Sequence, residues 1–356
     1  MAAHPTSAIT PQNTSLNPVQ IAAFPRMRAL AWCNDVLYAS CGYAVLRARV
    51  RASMVWEEVG IYRPPPWRTI TSSSRLASRL LRDGFHALAA LSSGHLVAAV
   101  PGTIVTLAPE EKEFRLSHKL LRGTRPLHLA IAPSDHIFWG EYFDNPRRDE
   151  VHIYVSADRG AHWDVAHTFR KGTIRHVHNI VYDHWENCFW VLTGDYGSEC
   201  RILRASCDFK TVDVVLSGDQ QSRSAALIPT RDALYFSSDT PLESNHVYRL
   251  DRRGNLSKVA ALSSSSIYGC SVGNALFFST MAEPSAINSD RHVNLYGSPD
   301  GLQWQRILQR QKDHWPMGLF QYGNAFLPDG KNTTGLLAVT TIAVERADLE
   351  TTIWRI

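Results

Sequence analysis

Apolar residues in this chain come in short runs, some alternating with polar positions and some apolar throughout, and the runs end in clusters of Gly, Asn, Asp, Ser or Pro. That is the pattern of β-strands joined by tight turns. Four segments align with one another: HIFWGEYFDNPRRDEVHIYVSADRGAHWDVAHTF from His136, NCFWVLTGDYGSECRILRASCDFKTVDVV from Asn187, ALYFSSDTPLESNHVYRLDRRGNLSKVAAL from Ala233, and ALFFSTMAEPSAINSDRHVNLYGSPDGLQWQRIL from Ala275. Each reads as an aromatic-rich strand, a polar loop bearing an acid, a second strand, a turn and a last strand. Looser copies are ALAWCNDVLYASCGYAVLRARV with WEEV, FHALAALSSGHLVAAVPGTIVTLAP, and the C-terminal GNAFLPDGKNTTGLLAVTTIAVERADLETTIWRI. Seven units of roughly fifty residues fill the chain, which predicts an all-β, seven-bladed β-propeller, with six or eight blades as the alternatives. The expected boundaries are a disordered leader over 1–24 and a single propeller domain over 25–356. Only 74–83, SRLASRLLRD, reads as helical.

The most regular turn is SADRGAHW. Ser156 and Asp158 suit hydrogen bonds to backbone N–H groups, Gly160 suits a positive φ, and Trp163 suits packing back on the strands. Weaker copies stand at SCDFK and SPDG. The pattern S-x-D-x-G-x-x-W is that of the Asp-box, and from Leu127 to Leu308 the chain resembles the Asp-box (BNR-repeat) propellers of the sialidase-like superfamily. The resemblance implies a propeller in a group of glycan-cleaving and non-catalytic members. The box itself is expected to be a fastener on the face opposite any site. The aromatic-Arg-Ile-Pro stretch of sialidases is missing, so what carries over is an anionic sugar rather than sialic acid.

Composition narrows the function classes. Of 356 residues 44% are hydrophobic and 20% charged, and the net charge of +4 is spread along the chain, so no basic stripe marks a nucleic-acid partner. No window reaches the ~20 apolar residues of a spanning helix, and the N-terminus lacks the basic and apolar runs of a secretory signal. The expectation is therefore no membrane partner and a cytoplasmic default, with unconventional export left open. Six cysteines without a C-x-x-C read as free thiols, although Cys33 and Cys41 could face each other across a hairpin.

In a propeller, the segments leading into the first strands and the loops joining second to third strands open on one face, around a central mouth. The loops carry Glu141 and Tyr142, Asp195 and Tyr196, Asp239 with Asn245 and His246, and Glu283. The leading segments carry Arg125 and His128, Arg175, His176 and His178, Arg223, Tyr268, and Gln321 with Tyr322. Glu141, Tyr142, Arg175, His176, His178, Asp195 and Asp239 are the catalytic candidates. Arg125, Arg223, Asn245, Glu283, Gln321 and Tyr322 are the candidates for binding substrate. The bland alternative is a set of turn caps and seam ion pairs.

His176 and His178 stand two apart on a strand, so both imidazoles can point one way. They are the candidates for a divalent metal, with His128, His246, Glu141 or Gln321 as a further ligand. Arginines suit a carboxylate-bearing sugar. The expected function is cleavage of an anionic glycan, by a carboxylate pair in a hydrolase or by proton abstraction in a lyase. The rival is a non-catalytic propeller binding glycan or protein through Trp139, Tyr142, Trp185, Trp315 and Tyr322.

Overall fold

The aromatic-rich runs form the second strand of each blade. Cys188–Thr193, Ala233–Ser238 and Ala275–Thr280 are buried at every position. A strand sandwiched between two neighbouring blades has no solvent face, which is why these runs are apolar throughout rather than alternating. Fourth strands such as Asp164–Phe169, Val212–Ser217 and Gln305–Gln311 are largely exposed and carry polar and charged residues, which discourage pairing along the open edge. Innermost strands such as Arg28–Asn34, Ala87–Ala90 and Ser224–Pro229 are rich in alanine, because backbones crowd around the axis.

The computed structural model describes residues 15–50 and 54–356. The first fourteen residues of the expected leader lie outside the described residues. Seven sheets, antiparallel except for one added inner strand, form a ring, a seven-bladed β-propeller, with one unit for each of the aligned segments. Side chains interlock between neighbouring blades, as where Phe138 and Ile153 of the third meet Phe189, Val191 and Phe209 of the fourth. Each fully buried aromatic at such a seam contributes about 2–3 kcal/mol.

The ring is closed from both chain ends. Val19–Pro25 is the outermost strand of the seventh blade, antiparallel to Glu350–Arg355. This corrects the leader boundary at residue 24: the partner of this strand lies at the far end of the chain, where no local pattern announces it. A second suture comes from the loop after Asn324–Phe326. Its short strand Asp329–Asn332 runs parallel to Arg28–Asn34 on the inner edge of the first blade. It also touches the inner strands of the second and sixth blades. It therefore lies inside the ring and floors the mouth.

Two further differences concern helices and thiols. A helix at Pro66–Ser73 precedes the expected one, which runs Arg75–Leu81. The triple proline before it hides a helix start, since proline is well placed at the first helical position. Arg79, 1% exposed, docks the second helix on the mouth loops of the seventh blade, 2.5 Å from Asp313 and 3.0 Å from the carbonyl of Phe320. All six cysteines are free, and Cys33 and Cys41 stand opposite Val36 and Ala44, not opposite each other. Among the described residues, no helix is long and apolar enough to cross a membrane.

The Ser-x-Asp turns close as their residues suggest. Ser156 Oγ donates to Asp158 at 2.9 Å, and the backbone N–H groups of Gly160 and His162 donate to Ser156 and Asp158 at 2.8 and 2.9 Å. Ser298, Asp300 and Gly301 repeat the clamp in the sixth blade. Both turns join third to fourth strands, on the face away from the mouth.

Candidate active site

The mouth side chains converge where the fourth and fifth blades begin. Arg175 and His176 lead into the inner strand Val177–Asp183, and Arg223 leads into Ser224–Pro229. The inner strand of the fourth blade pairs Val177 with Thr193 and Asn179 with Leu192, which leaves His178 as an unpaired bulge residue. A bulge re-aims its side chain, and here it turns both imidazoles together, with their Nε2 atoms 3.0 Å apart.

Adjacent blades carry the same Gly-acid-Tyr triplet, and the structure uses it in two ways. In the fourth blade Gly194 has φ +91° and a Cβ there would collide with the Glu199 carbonyl. Only glycine fits that left-handed turn, and it aims Asp195 at the cluster: Oδ2 lies 3.5 Å from His176 Nε2 and Oδ1 3.4 Å from His178 Nε2. In the third blade Gly140 stays in the strand Ile137–Gly140, and the two side chains exchange roles. Tyr142 packs on His176 with centroids 4.4 Å apart and the rings tilted at 45°. Glu141 turns away and is buried against Arg122 and the N–H of His152. None of its contacts is with the cluster, so the catalytic role expected for Glu141 is corrected to that of a loop clamp.

Arg175 and Arg223 flank Asp195 at 3.6 and 3.4 Å, and the same terminal nitrogen of Arg223 lies 3.8 Å from Asp239. The Nε atoms of both arginines are buried and meet no protein acceptor. Both guanidiniums lie over the ring of Tyr196, at 5.9 and 5.8 Å. Burial alone would raise the Asp195 carboxyl, but its close polar contacts with His176 and His178 outweigh that and hold it well below the usual carboxylate range. Asp239 behaves oppositely. Burial pushes its carboxyl up to about 7 despite the pull of Arg223, with Glu283 and Asp195 adding to the rise. Burial raises the Glu283 carboxyl, with Tyr322 beside it opposing the rise, and burial lifts the Tyr142 phenol to about 12.

Other expected residues do not join. Asn245 is buried in a closed set of bonds to Ser238, Thr240 and Asn288, so it shapes its own loop rather than meeting a substrate. Gln321 donates to the Arg79 carbonyl at 2.9 Å, under the helices. The further metal ligands suggested by sequence are engaged elsewhere: His128 with Asp329, His246 with the Ser244 carbonyl, Glu141 with Arg122 and Gln321 with Arg79. Among the described residues, it is Asp195 that completes a three-residue group, its ligand atoms and those of His176 and His178 lying within 4.8 Å of one another. Trp139 is buried in its strand, stacked on Tyr154, and Trp185 sits in a turn on the opposite face.

Sequence reasoning missed Arg28, Arg82 and His86. Burial and the neighbouring Arg28 and Arg82 lower Arg125 to about 10, and burial with Arg125 and Arg28 drives His86 well below its usual value. The region is thus strongly cationic. His86 stands just before its inner strand, as His176 and Arg223 do, and that shared blade position is the signal that could have found it. A separate cleft of about 1100 Å³ lies between the helices and the first blade, lined by Tyr43, Tyr62 and Ile70 among others. Its acid Asp348 is tied to Arg75 and Arg79, so the ionisable chemistry concentrates at the mouth rather than there.

Neither a protein-family model nor a curated protein matches the chain in sequence. Solved structures do share its shape. A chain of the mitotic checkpoint complex superposes with a TM-score of 0.59 at 10% identity, over 99% of both chains. The WD40 β-propeller domain of Doa1 gives 0.57 at 10% identity, over 94% of both. A GH74 enzyme of Niastella koreensis gives 0.54 at 13% identity, covering 81% of this chain and 46% of that one. At such identities likeness extends to the fold, which is the seven-bladed β-propeller.

Proposed function

We propose that this propeller cleaves an anionic glycan at its mouth, with Asp239 giving the proton to the leaving oxygen. The observation that carries the reading is the sharing of one Arg223 nitrogen by Asp195 and Asp239, whose carboxyls are pushed apart in proton affinity. Two carboxylates tuned in opposite senses are how one site supplies both a proton donor and a fixed negative charge near neutral pH. Arg175 and Arg223, each with a buried Nε lacking a protein acceptor, suit the carboxylate of a uronate. The Ser-x-Asp clamps and the likeness to Asp-box propellers agree with a carbohydrate-active lineage, though a shared fold hosts unrelated activities.

Elimination is favoured over hydrolysis. Asp195 lies among two guanidiniums and two imidazoles, and a carboxylate so neutralised is a poor nucleophile. In elimination the arginines neutralise the sugar carboxylate, which acidifies the neighbouring C–H. An imidazole of the cluster takes that proton, a C=C bond forms, the C–O bond to the leaving sugar breaks, and Asp239 protonates the departing oxygen. A panel of acidic polysaccharides tests this: unsaturated uronate absorbance supports elimination, and new reducing ends without it would assign hydrolysis.

The second reading is a propeller that binds glycan or protein without cleaving. Tyr196 and Tyr322 favour it, since they are 45% and 36% exposed at the mouth and offer ready platforms. Binding of an acidic oligosaccharide with no product of either kind would select it.

A further inference from the structure

We infer that His176, His178 and Asp195 form a divalent-metal site of the zinc class. The starting point is which ring nitrogens carry protons. His176 Nδ1 lies 3.0 Å from the carbonyl of Phe143, and His178 Nδ1 lies 2.9 Å from the carbonyl of Ser224. A carbonyl only accepts, so both Nδ1 atoms are donors. A neutral imidazole has one N–H, and both Nε2 atoms are therefore bare. Yet they face each other at 3.0 Å, with the oxygens of an ionised carboxylate 3.4 and 3.5 Å away. Three lone-pair donors do not gather in a buried site unless something electron-poor sits among them.

The spacing fits an ion. Four ligands at the Zn–N distance of about 2.0–2.1 Å stand about 3.3 Å from one another in a tetrahedron. The two Nε2 atoms are 3.0 Å apart, each has one of the two Asp195 oxygens at 3.4–3.5 Å, and one ligand atom from each residue lies within 4.8 Å of the others, a gap that a small shift of the carboxylate closes around an ion. The outer contacts fit as well: metal-bound histidines characteristically donate their other N–H to a carbonyl or carboxylate, which fixes ring and tautomer. The chain places both rings that way, one on each neighbouring blade. Arg175 and Arg223 approach the same two Asp195 oxygens that face the imidazoles, and Tyr142 packs beside His176. Three protein ligands with one open position is the arrangement of a catalytic rather than a structural ion.

A single proton shared between the two Nε2 atoms is the competing occupant, and it makes a different prediction. The full-length protein, stripped by chelator and dialysed, is titrated with Co²⁺, whose visible d–d bands report coordination directly. The expected result is one Co²⁺ per chain with the intensity of a four-coordinate ion, displaced by Zn²⁺. Both His178→Gln and Asp195→Asn should lose the bands, while His162→Ala, on the opposite face, keeps them. Thermal unfolding of each variant separates loss of ligand from loss of fold, and Zn²⁺ should raise the midpoint of the wild type but not of His178→Gln. Absence of bands in the folded wild type, or bands unchanged in folded His178→Gln, would overturn the assignment in favour of the shared proton. With an ion bound, these three side chains are ligands and the proton of the elimination passes to another base at the mouth; no sugar is present in this experiment, so failure of the metal site and failure of the glycan reading are distinguishable.

Discussion

Asp195 and Asp239 touch the same guanidinium nitrogen of Arg223, at 3.4 and 3.8 Å, yet one carboxyl is held ionised and the other is raised to about 7. The difference lies in what else each meets. Asp195 has two imidazoles and a second arginine, whereas burial dominates at Asp239.

Asp239 ties activity to pH. A general acid must be protonated, so kcat/KM is expected to fall as pH rises through about 7. Asp239→Asn should lower kcat by about 10²–10⁴-fold and abolish that limb of the profile. A profile whose alkaline limb survives the substitution would remove Asp239 from the role.

The same shift predicts a stability gain from a damaging substitution. Asp239 binds its proton more tightly folded than unfolded, so it stabilises most below pH 3.8 and progressively less as pH rises toward 7. Asp239→Asn is thus expected to be more stable than wild type at pH 8, by roughly 1–4 kcal/mol, with the gap closing near pH 4. Chemical denaturation at the two pH values measures it, and a destabilised variant at pH 8 would contradict the burial argument.

Glu141 should separate fold from chemistry. Its carboxylate closes the third-blade loop through Arg122 and His152. Glu141→Gln is expected to cost about 2–4 kcal/mol of stability and to leave kcat unchanged at temperatures where the protein is folded. A large fall in kcat with unchanged stability would return Glu141 to the catalytic group.

Arg175 lies at the rim, bridging Asp144 and Asp195. Arg175→Lys keeps the charge but not the fork, and is expected to weaken binding of a uronate oligosaccharide about tenfold. A neutral oligosaccharide of the same linkage should bind wild type and variant alike. Calorimetry with both ligands distinguishes carboxylate recognition from a structural effect.

The blades were legible in sequence because the doubly covered second strands have to be apolar, and runs such as CFWVLT and ALFFST announce them. Val19–Pro25 was not, since its partner Glu350–Arg355 lies at the other chain end. At the mouth, His176-x-His178 was readable as a convergent pair. The exchange between Glu141–Tyr142 and Asp195–Tyr196 was not. Two identical Gly-acid-Tyr patterns differ only in whether the glycine turns left-handed, as Gly194 does at φ +91° and Gly140 does not. Backbone sign there decides which of two neighbouring side chains faces the site.

Asp239-assisted elimination is read out by following unsaturated uronate formation from acidic polysaccharides, wild type beside Asp239→Asn. Rising absorbance is expected with the wild type, and its near-complete loss in the folded variant. Equal rates from both, or no product of any kind from folded wild type across the panel, would contradict it.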